Sequence, residues 1–165
     1  MATRVKIIGI GSPFGDDRLG WMAAQTLQNS ARTQSDAVQI EITALDRPGT
    51  ALISEWNGAD AVILIDAVRS GATPGTLHCL APDRLDTGIT VTSSHGLGIA
   101  AALELAQTLD ELPDRLCLCG IEIDPSHTGE NLSPSVQAAL PSLVSQVEQL
   151  TGELFESVVM APDLT

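Results

Sequence analysis

Three segments of the chain are almost continuously apolar, a pattern typical of strands that are covered on both faces of a sheet. They span residues 5–10, 61–68 and 115–123. Residues 38–43 alternate apolar and polar side chains instead, which predicts a half-exposed strand near a sheet edge. Residues 76–80 follow a short turn, so they are expected to form a strand that runs antiparallel to the one at 61–68.

Helical periodicity predicts helices between and after these strands. They cover about residues 18–29, 50–56, 97–109 and 134–150, and the last has Ser133 as its N-cap. Residues 151–165 show no clear period and are expected to form a loosely packed tail. Strands that alternate with helices indicate an α/β three-layer sandwich, in which a twisted, mostly parallel sheet of about five strands carries helices on both faces.

Length, composition and charge narrow the class of protein. A chain of 165 residues predicts one domain over residues 1–165, and the 2% aromatic content leaves Leu, Ile, Val and Ala to fill the core. No apolar run approaches the ~20 residues that span a bilayer, and the first residues lack a signal-peptide pattern. The net charge of −13 argues against nucleic acid, whose phosphates would be repelled. We therefore expect a cytoplasmic monomer with neither nucleic acid nor a membrane as a partner.

Cysteine usage agrees with a reducing compartment. The three cysteines, Cys79, Cys117 and Cys119, cannot form a disulfide framework, and Cys-x-Cys is not a zinc-site spacing. Cys117 and Cys119 fall on one face of a predicted strand, so they are interpreted as small core hydrophobes.

Acidic and imidazole side chains occur where predicted strands end or helices begin. In the stretch RVKIIGIGSPFGDDRLG, a buried strand is followed by a glycine turn and then by Asp16 and Asp17. Acids at a helix start commonly cap its free N–H groups, and this explanation is kept open for Asp16. Asp66 lies near the end of the second buried strand, where a carboxylate is costly unless it is paired or bound to a cation. His95 stands at the entrance of the next long helix.

Strand ends in such a sheet meet at one rim, so Asp17, Asp66 and His95 are predicted to converge there. Two carboxylates and one imidazole suit a borderline divalent ion such as zinc or nickel, and three protein ligands leave a position for a substrate. The Gly-x-Gly of the opening turn could suggest a dinucleotide site, but the third glycine is missing and the acid pair would repel a pyrophosphate. His78 and His127 are predicted to lie outside the metal site.

Taken in order, these motifs resemble those of the hydrogenase maturation endopeptidases, which trim the C-terminal extension of the nickel-iron hydrogenase large-subunit precursor. The shared pieces run from Val5 to about Leu150 and read IIGIGSPFGDDRLG, VILIDAV followed by GATPGTL, SSHGLG, LCGIEI and LSPSVQAALP. This chain departs from the family in its opening loop, where Ser12 stands in place of the usual Asn. The acid matched by Asp17 is Glu in some members of the family.

The resemblance implies that Asp17, Asp66 and His95 form a nickel-binding site in which metal recognition and catalysis are not separable. It also implies a twisted, mainly parallel sheet between helices. The nickel would belong to the immature metal centre of the precursor, so the enzyme would detect that the metal has been inserted before it cleaves the precursor. Other divalent ions could substitute for nickel in crystals.

Several alternatives stay open on the sequence alone. The precursor-bound metal could polarise the scissile carbonyl or activate water, or Asp16 or Asp17 could act as a base. Ser93 and Ser94 adjoin His95, but hydroxyls before a helix are usually caps, and no Ser/His/Asp or Cys/His nucleophile system is apparent. The alternative functions are a non-catalytic, nickel-reading chaperone of the precursor and a stand-alone metal-dependent hydrolase.

Overall fold

Strands from both halves of the chain form one sheet in the computed structural model, which describes residues 2–30, 37–81 and 99–159. The strands are β1 Thr3–Gly11, β2 Val38–Asp46, β3 Ala61–Val68, β4 Leu77–Leu80 and β5 Arg115–Glu122. The helices are α1 Leu19–Ser30, α2 Leu52–Trp56, α3 Ile99–Thr108 and α4 Pro134–Val159, and short 3₁₀ helices at Gly15–Arg18 and Gly49–Ala51 lead into α1 and α2. Within the described ranges, no helix combines the length and the apolar character needed to cross a membrane.

The sheet has the strand order β2-β1-β3-β5-β4, and its neighbours are parallel except for β4, which runs antiparallel to β5. The predicted α/β class with a mostly parallel sheet is therefore confirmed. β4 has the predicted direction, but its neighbour is β5, because β5 already pairs with β3 from Ala61 to Val68. The segment between β3 and β4 thus reaches past the end of β5, where the Gly75 N–H donates to the Glu122 carbonyl oxygen at 2.8 Å.

Alternate side chains of the central strands pack into two separate cores. One face of the sheet, which includes Ile7 and Ile63, packs against α1 and α4. The opposite face, which includes Ile8 and Leu64, packs against α2 and α3. Helices on both faces complete the predicted three layers, and they explain why the middle strands are apolar at consecutive positions.

The start of α1 lies against the backbone of β1. A Cβ atom on Gly20 would come within 2.2 Å of the Ile10 carbonyl oxygen, and one on Gly9 within 2.2 Å of the Gly20 carbonyl oxygen. Glycine is required at both positions because any side chain would collide with the facing backbone. This close approach brings the 3₁₀ helix Gly15–Arg18, which precedes α1, to the carboxyl end of the sheet.

The loose tail predicted after residue 150 is wrong, since α4 continues to Val159. Thr151 is buried within this helix, and its hydroxyl donates to the Val147 carbonyl oxygen at 2.7 Å. Leu154 packs against the same core as Val147. A threonine whose hydroxyl bonds to the preceding turn can occupy the apolar stripe, and its polar character hides the helical period in the sequence.

Candidate functional site

Asp17, the first predicted metal ligand, lies in the 3₁₀ helix Gly15–Arg18 just after β1. The loop around it is held by backbone hydrogen bonds on two sides: Ser12 N–H donates to the Asp17 carbonyl oxygen at 3.2 Å, and Gly15 N–H donates to the Glu130 carbonyl oxygen at 2.9 Å. Gly15 has a φ of 55°, a conformation that favours glycine. The Ser12 hydroxyl also donates to Asp17 Oδ2 at 3.3 Å. The backbone of the loop therefore fixes the position of this carboxylate.

Asp66, the second predicted ligand, lies within β3 and is only 1% exposed. Its Oδ1 accepts a hydrogen bond from the Ala67 N–H at 2.7 Å, whereas its Oδ2 has no hydrogen-bond partner among the described residues. Burial raises the pKa of Asp66 well above its ordinary value, the Ala67 hydrogen bond opposes this in part, and the charge of Asp17 raises it further. The charge of Asp17 thus acts on Asp66, and a cation bound by both would offset the cost of burying the Asp66 carboxylate.

The third predicted ligand, His95, belongs to residues 82–98 and lies outside the described part of the chain, as do Ser93 and Ser94. Its membership of the metal site stays a prediction. The side chain of Asp66 lies on the same face of β3 as Leu64, which packs against α2 and α3. α3 begins at Ile99, four positions after His95 in the sequence, and packs on the face of the sheet that carries Asp66.

The two described histidines have other partners. His78, on β4, places its Nε2 3.0 Å from Glu122 Oε2. His127, in the loop before α4, places its Nε2 2.8 Å from the Asn131 carbonyl oxygen. Among the described residues, neither histidine joins the Asp17 and Asp66 carboxylates in a group of three that could share one metal ion.

Asp16 differs from its neighbour Asp17 because both of its carboxylate oxygens accept hydrogen bonds. Its Oδ1 accepts from the Ser133 N–H at 2.7 Å, and its Oδ2 accepts from the Ser133 hydroxyl at 2.8 Å and the Asp124 N–H at 3.3 Å. Ser133 directly precedes Pro134, the predicted first residue of the last helix. Asp16 is therefore a structural carboxylate, as the capping explanation holds, but the helix whose start it secures is α4.

Glu122 ends β5 beside Val68 of β3; it lies in the shared piece LCGIEI but was not predicted as a site residue. It is 3% exposed, yet its Oε1 accepts the N–H groups of Ser70 and Gly71 at 2.8 and 2.9 Å, and its Oε2 accepts the Ser70 hydroxyl at 2.9 Å. Burial acts to raise the pKa of Glu122, but the hydrogen bonds from Ser70 and His78 outweigh it and hold this pKa below its ordinary value. The sequence feature that could have identified Glu122 is a single acidic residue at the end of an apolar strand.

Comparisons with known proteins point to one family. The model of the hydrogenase maturation protease family HycI matches residues 30–150. The hydrogenase expression/formation protein HupD of Rhizobium leguminosarum bv. viciae is 25% identical over 98% of this chain and 81% of that protein, so the alignment extends over the opening loop. The hydrogenase 2 maturation protease of Escherichia coli K12 is 27% identical over 96% of this chain and 94% of that protein.

Solved structures give the same answer for the fold. The hydrogenase maturating endopeptidase HybD from E. coli has a TM-score of 0.75 at 26% identity, over 92% of this chain and 93% of that one. The [NiFe] hydrogenase maturation protease HybD from Thermococcus kodakarensis has a TM-score of 0.66 at 26% identity, over 90% of this chain and 99% of that one. The similarity therefore covers the whole sheet and its helices.

Proposed function

Because the chain belongs to the hydrogenase maturation protease family, we propose that it is an endopeptidase that removes the C-terminal extension of a nickel-iron hydrogenase large-subunit precursor after nickel insertion. Membership of the family makes it a peptide hydrolase of hydrogenase maturation. The finer part of the proposal is that Asp17, Asp66 and His95 recognise the nickel of the precursor. Nickel is then part of the substrate, and the protein requires no resident metal at this site.

One observation carries the nickel-reading part of the proposal. Asp66 Oδ2 is buried without a hydrogen-bond partner among the described residues, and the Asp66 carboxylate interacts electrostatically with that of Asp17. Buried polar atoms are nearly always hydrogen-bonded in folded proteins, so this oxygen calls for a partner that arrives from outside. A divalent cation meets the requirement, because it coordinates the free oxygen and neutralises the repulsion between the two acids.

The nature of the ligands narrows the choice of cation. Two carboxylates alone would also suit magnesium or calcium, which prefer oxygen ligands. An imidazole from His95 shifts the preference toward borderline ions such as nickel and zinc. Three ligands from this chain leave the remaining positions to groups of the precursor, so that the ion links enzyme and substrate.

Hydrogen bonding separates the two adjacent acids as candidates for a general base. Both oxygens of Asp16 accept bonds from Ser133 or Asp124, so Asp16 has no free oxygen directed to a substrate. Asp17 is the better candidate to take a proton from the attacking water, while the precursor-bound metal polarises the scissile carbonyl. In this proposal Asp66 holds the metal and Asp17 serves both the metal and the water.

The test is incubation of this protein with a hydrogenase large-subunit precursor in its nickel-loaded and nickel-free forms, followed by measurement of the intact precursor mass. Loss of the C-terminal peptide from the nickel-loaded form alone is expected. Equal cleavage of both forms would contradict nickel recognition. Binding of the loaded precursor without any cleavage would identify a chaperone and contradict the protease assignment.

A matched pair of aspartate variants sharpens this test. Asp17→Asn should lose cleavage of the nickel-loaded precursor, since it removes a metal-binding charge and the candidate base. Asp110→Asn is the control, because Asp110 is exposed after α3 and its φ of 57° is tolerated by asparagine. Wild-type activity in Asp17→Asn would exclude both proposed roles of Asp17.

A further inference from the structure

Three cysteines that are distant in the sequence meet on one side of the β4–β5 edge. Cys79 and Cys119 are paired directly across the antiparallel strands, and Cys117 lies on the same face of β5 as Cys119. The Cys79 Sγ is 3.2 Å from the Cys117 Sγ and 4.0 Å from the Cys119 Sγ, and all three sulfurs lie within 4.8 Å of one another. The sequence pattern placed only Cys117 and Cys119 together, as core hydrophobes. The register of β4 against β5 brings Cys79 beside them.

This cysteine cluster is separate from the carboxylate site. Cys119 lies beside Ile65 in the sheet and packs in the core that contains α1 and α4. Asp66 follows Ile65, so its side chain projects to the opposite face of β3. In the described part of the chain, the cysteine cluster is also the one group of three potential metal ligands close enough to share an ion.

The cluster can be reached from solvent. Cys119 is buried, Cys117 is half-buried and Cys79 is exposed. A cavity of about 500 Å³ adjoins Cys117, and apolar residues line it together with Asp114, Arg115 and, from α4, Glu153. Burial, then Cys117 and finally the charge of Glu153 raise the pKa of Cys79 to about 11. A small ligand could therefore reach the cluster at the exposed Cys79 or through the cavity beside Cys117.

The spacing of the sulfurs matches that of thiolates around one metal ion. Thiolates bound to zinc at about 2.3 Å in tetrahedral geometry lie about 3.8 Å from one another. The distances of 3.2 and 4.0 Å from the Cys79 Sγ lie on either side of this value. Clustered thiolates select zinc(II) or copper(I) over ions that prefer oxygen, such as magnesium.

We propose that Cys79, Cys117 and Cys119 form a binding site for one thiophilic metal ion, zinc(II) or copper(I). Each coordinating thiol gives up its proton to solvent when the ion binds, and no redox change takes place. The ion joins the edge strand β4 to β5 through side chains of both strands. This site is independent of the nickel carried by the precursor, and the proposal does not depend on the proposed protease function.

The experiment titrates zinc(II) and copper(I) separately into the reduced, metal-free chain under anaerobic conditions, each in competition with a chromophoric chelator. One equivalent of at least one ion should bind, and the tighter of the two identifies the preferred metal. Cobalt(II) provides a second readout through the sulfur-to-metal charge-transfer absorption of thiolate coordination. Cys79→Ser should weaken binding at least about 100-fold, beyond the 10–100-fold typical of residues that only support a ligand.

The matched control is the double variant Asp17→Asn/Asp66→Asn, which should bind the thiophilic ion as the unchanged chain does. Cys79 is exposed, so Cys79→Ser should retain the fold, and a thermal melt of the metal-free form checks this. Three results would overturn the proposal: no binding of either ion, undiminished binding in Cys79→Ser, or loss of the ion in the double variant.

Discussion

β3 and β5 each carry one buried carboxylate near their adjacent ends, and the surroundings of the two carboxylates differ. Glu122 of β5 accepts four hydrogen bonds, from the loop after β3 and from His78. Asp66 of β3 accepts one bond, from Ala67, and its second oxygen has no hydrogen-bond partner among the described residues. Hydrogen bonding outweighs burial at Glu122 and lowers its pKa, whereas burial dominates at Asp66 and raises its pKa.

This difference separates a structural acid from an acid available for a ligand. Both side chains are almost fully buried, at 1% exposure for Asp66 and 3% for Glu122, so burial does not distinguish them. A carboxylate with all its oxygens hydrogen-bonded fixes the loop around it and has little to offer a cation. A carboxylate with a free, buried oxygen carries a cost that a cation can remove. The hydrogen bonds that each carboxylate accepts, and not its burial, therefore distinguish the structural acid from the acid available for a ligand.

The largest expected effect is on precursor cleavage by Asp66→Asn compared with Glu122→Gln. The amide at residue 66 keeps the shape but removes the charge that binds the metal, so cleavage of the nickel-loaded precursor should fall at least about 100-fold. Glu122→Gln keeps an acceptor for the loop and should retain most of the activity. Initial rates from precursor mass spectra measure both. The distinction would be lost if the two variants were equally impaired while both remained folded.

The next expected effect is on the free energy of unfolding, where substitution of Glu122 should cost more than substitution of Asp66. Glu122→Ala leaves the N–H groups of Ser70 and Gly71 and the ring of His78 without their acceptor, which should cost about 3 kcal/mol of unfolding free energy. Urea denaturation gives this value.

The control for Glu122→Ala is Glu41→Ala, since Glu41 is exposed and its contact with Lys6 is 3.9 Å long. Such surface pairs contribute about 0–1 kcal/mol. Similar losses in the two alanine variants would show that the hydrogen bonds of Glu122 contribute no more than an exposed ion pair.

A smaller loss of stability is expected at Asp16, the structural member of the adjacent acid pair. Asp16→Ala removes the acceptor of the Ser133 N–H and hydroxyl at the start of α4 and should cost about 2 kcal/mol while much of the cleavage activity remains. Ser133→Ala, which loses the hydroxyl bond but keeps the N–H bond, should cost about 1 kcal/mol. Thermal melting and cleavage assays on both variants test this, and an Asp16→Ala variant that melts like wild type would show that Asp16 does not secure α4.

Local pattern predicted most of the fold, but it missed features that depend on long-range pairing. The apolar runs and the alternation at residues 38–43 predicted the positions of the strands correctly. They did so because a strand buried on both faces is apolar throughout, and a strand buried on one face alternates apolar and polar residues. The pairing of β4 with β5 has no corresponding pattern in the sequence, since it depends on which strand of the sheet has an edge available for pairing. The full length of α4 was hidden by Thr151, a polar residue on the apolar stripe.

The site shows the same division between local and long-range information. Asp17 and Asp66 were predicted as metal ligands because Asp17 follows one apolar strand and Asp66 lies near the end of another, and their membership of a metal site stays a prediction. Glu122 also ends an apolar strand, but its partners are 44 to 52 residues away, so its structural role depends on contacts that local pattern does not predict. The cysteine cluster depends on antiparallel register in the same way, through the pairing of Cys79 with Cys119.

The smallest expected effect is the pH dependence of stability in the metal-free protein, where the two buried acids should act with opposite sign. The folded chain keeps a proton on Asp66 at pH values where the unfolded chain has lost it, so this contribution to stability falls as pH rises from about 4 through the raised pKa. The contribution of Glu122 is present above the ordinary glutamate pKa and is lost as pH falls through its lowered pKa. Each acid can change stability by at most about 1.4 kcal/mol per pH unit.

Urea denaturation from acidic to mildly alkaline pH, with a chelator present, should therefore separate the two variants. Asp66→Asn should gain stability relative to wild type as pH rises, because the amide has no proton to lose. Glu122→Gln should lose stability relative to wild type over the same rise, because the wild-type carboxylate becomes charged and strengthens its bonds to the loop and His78. Curves that diverge from wild type in the same direction would show that the two carboxylates share one environment, and the contrast between the ends of β3 and β5 would then fail.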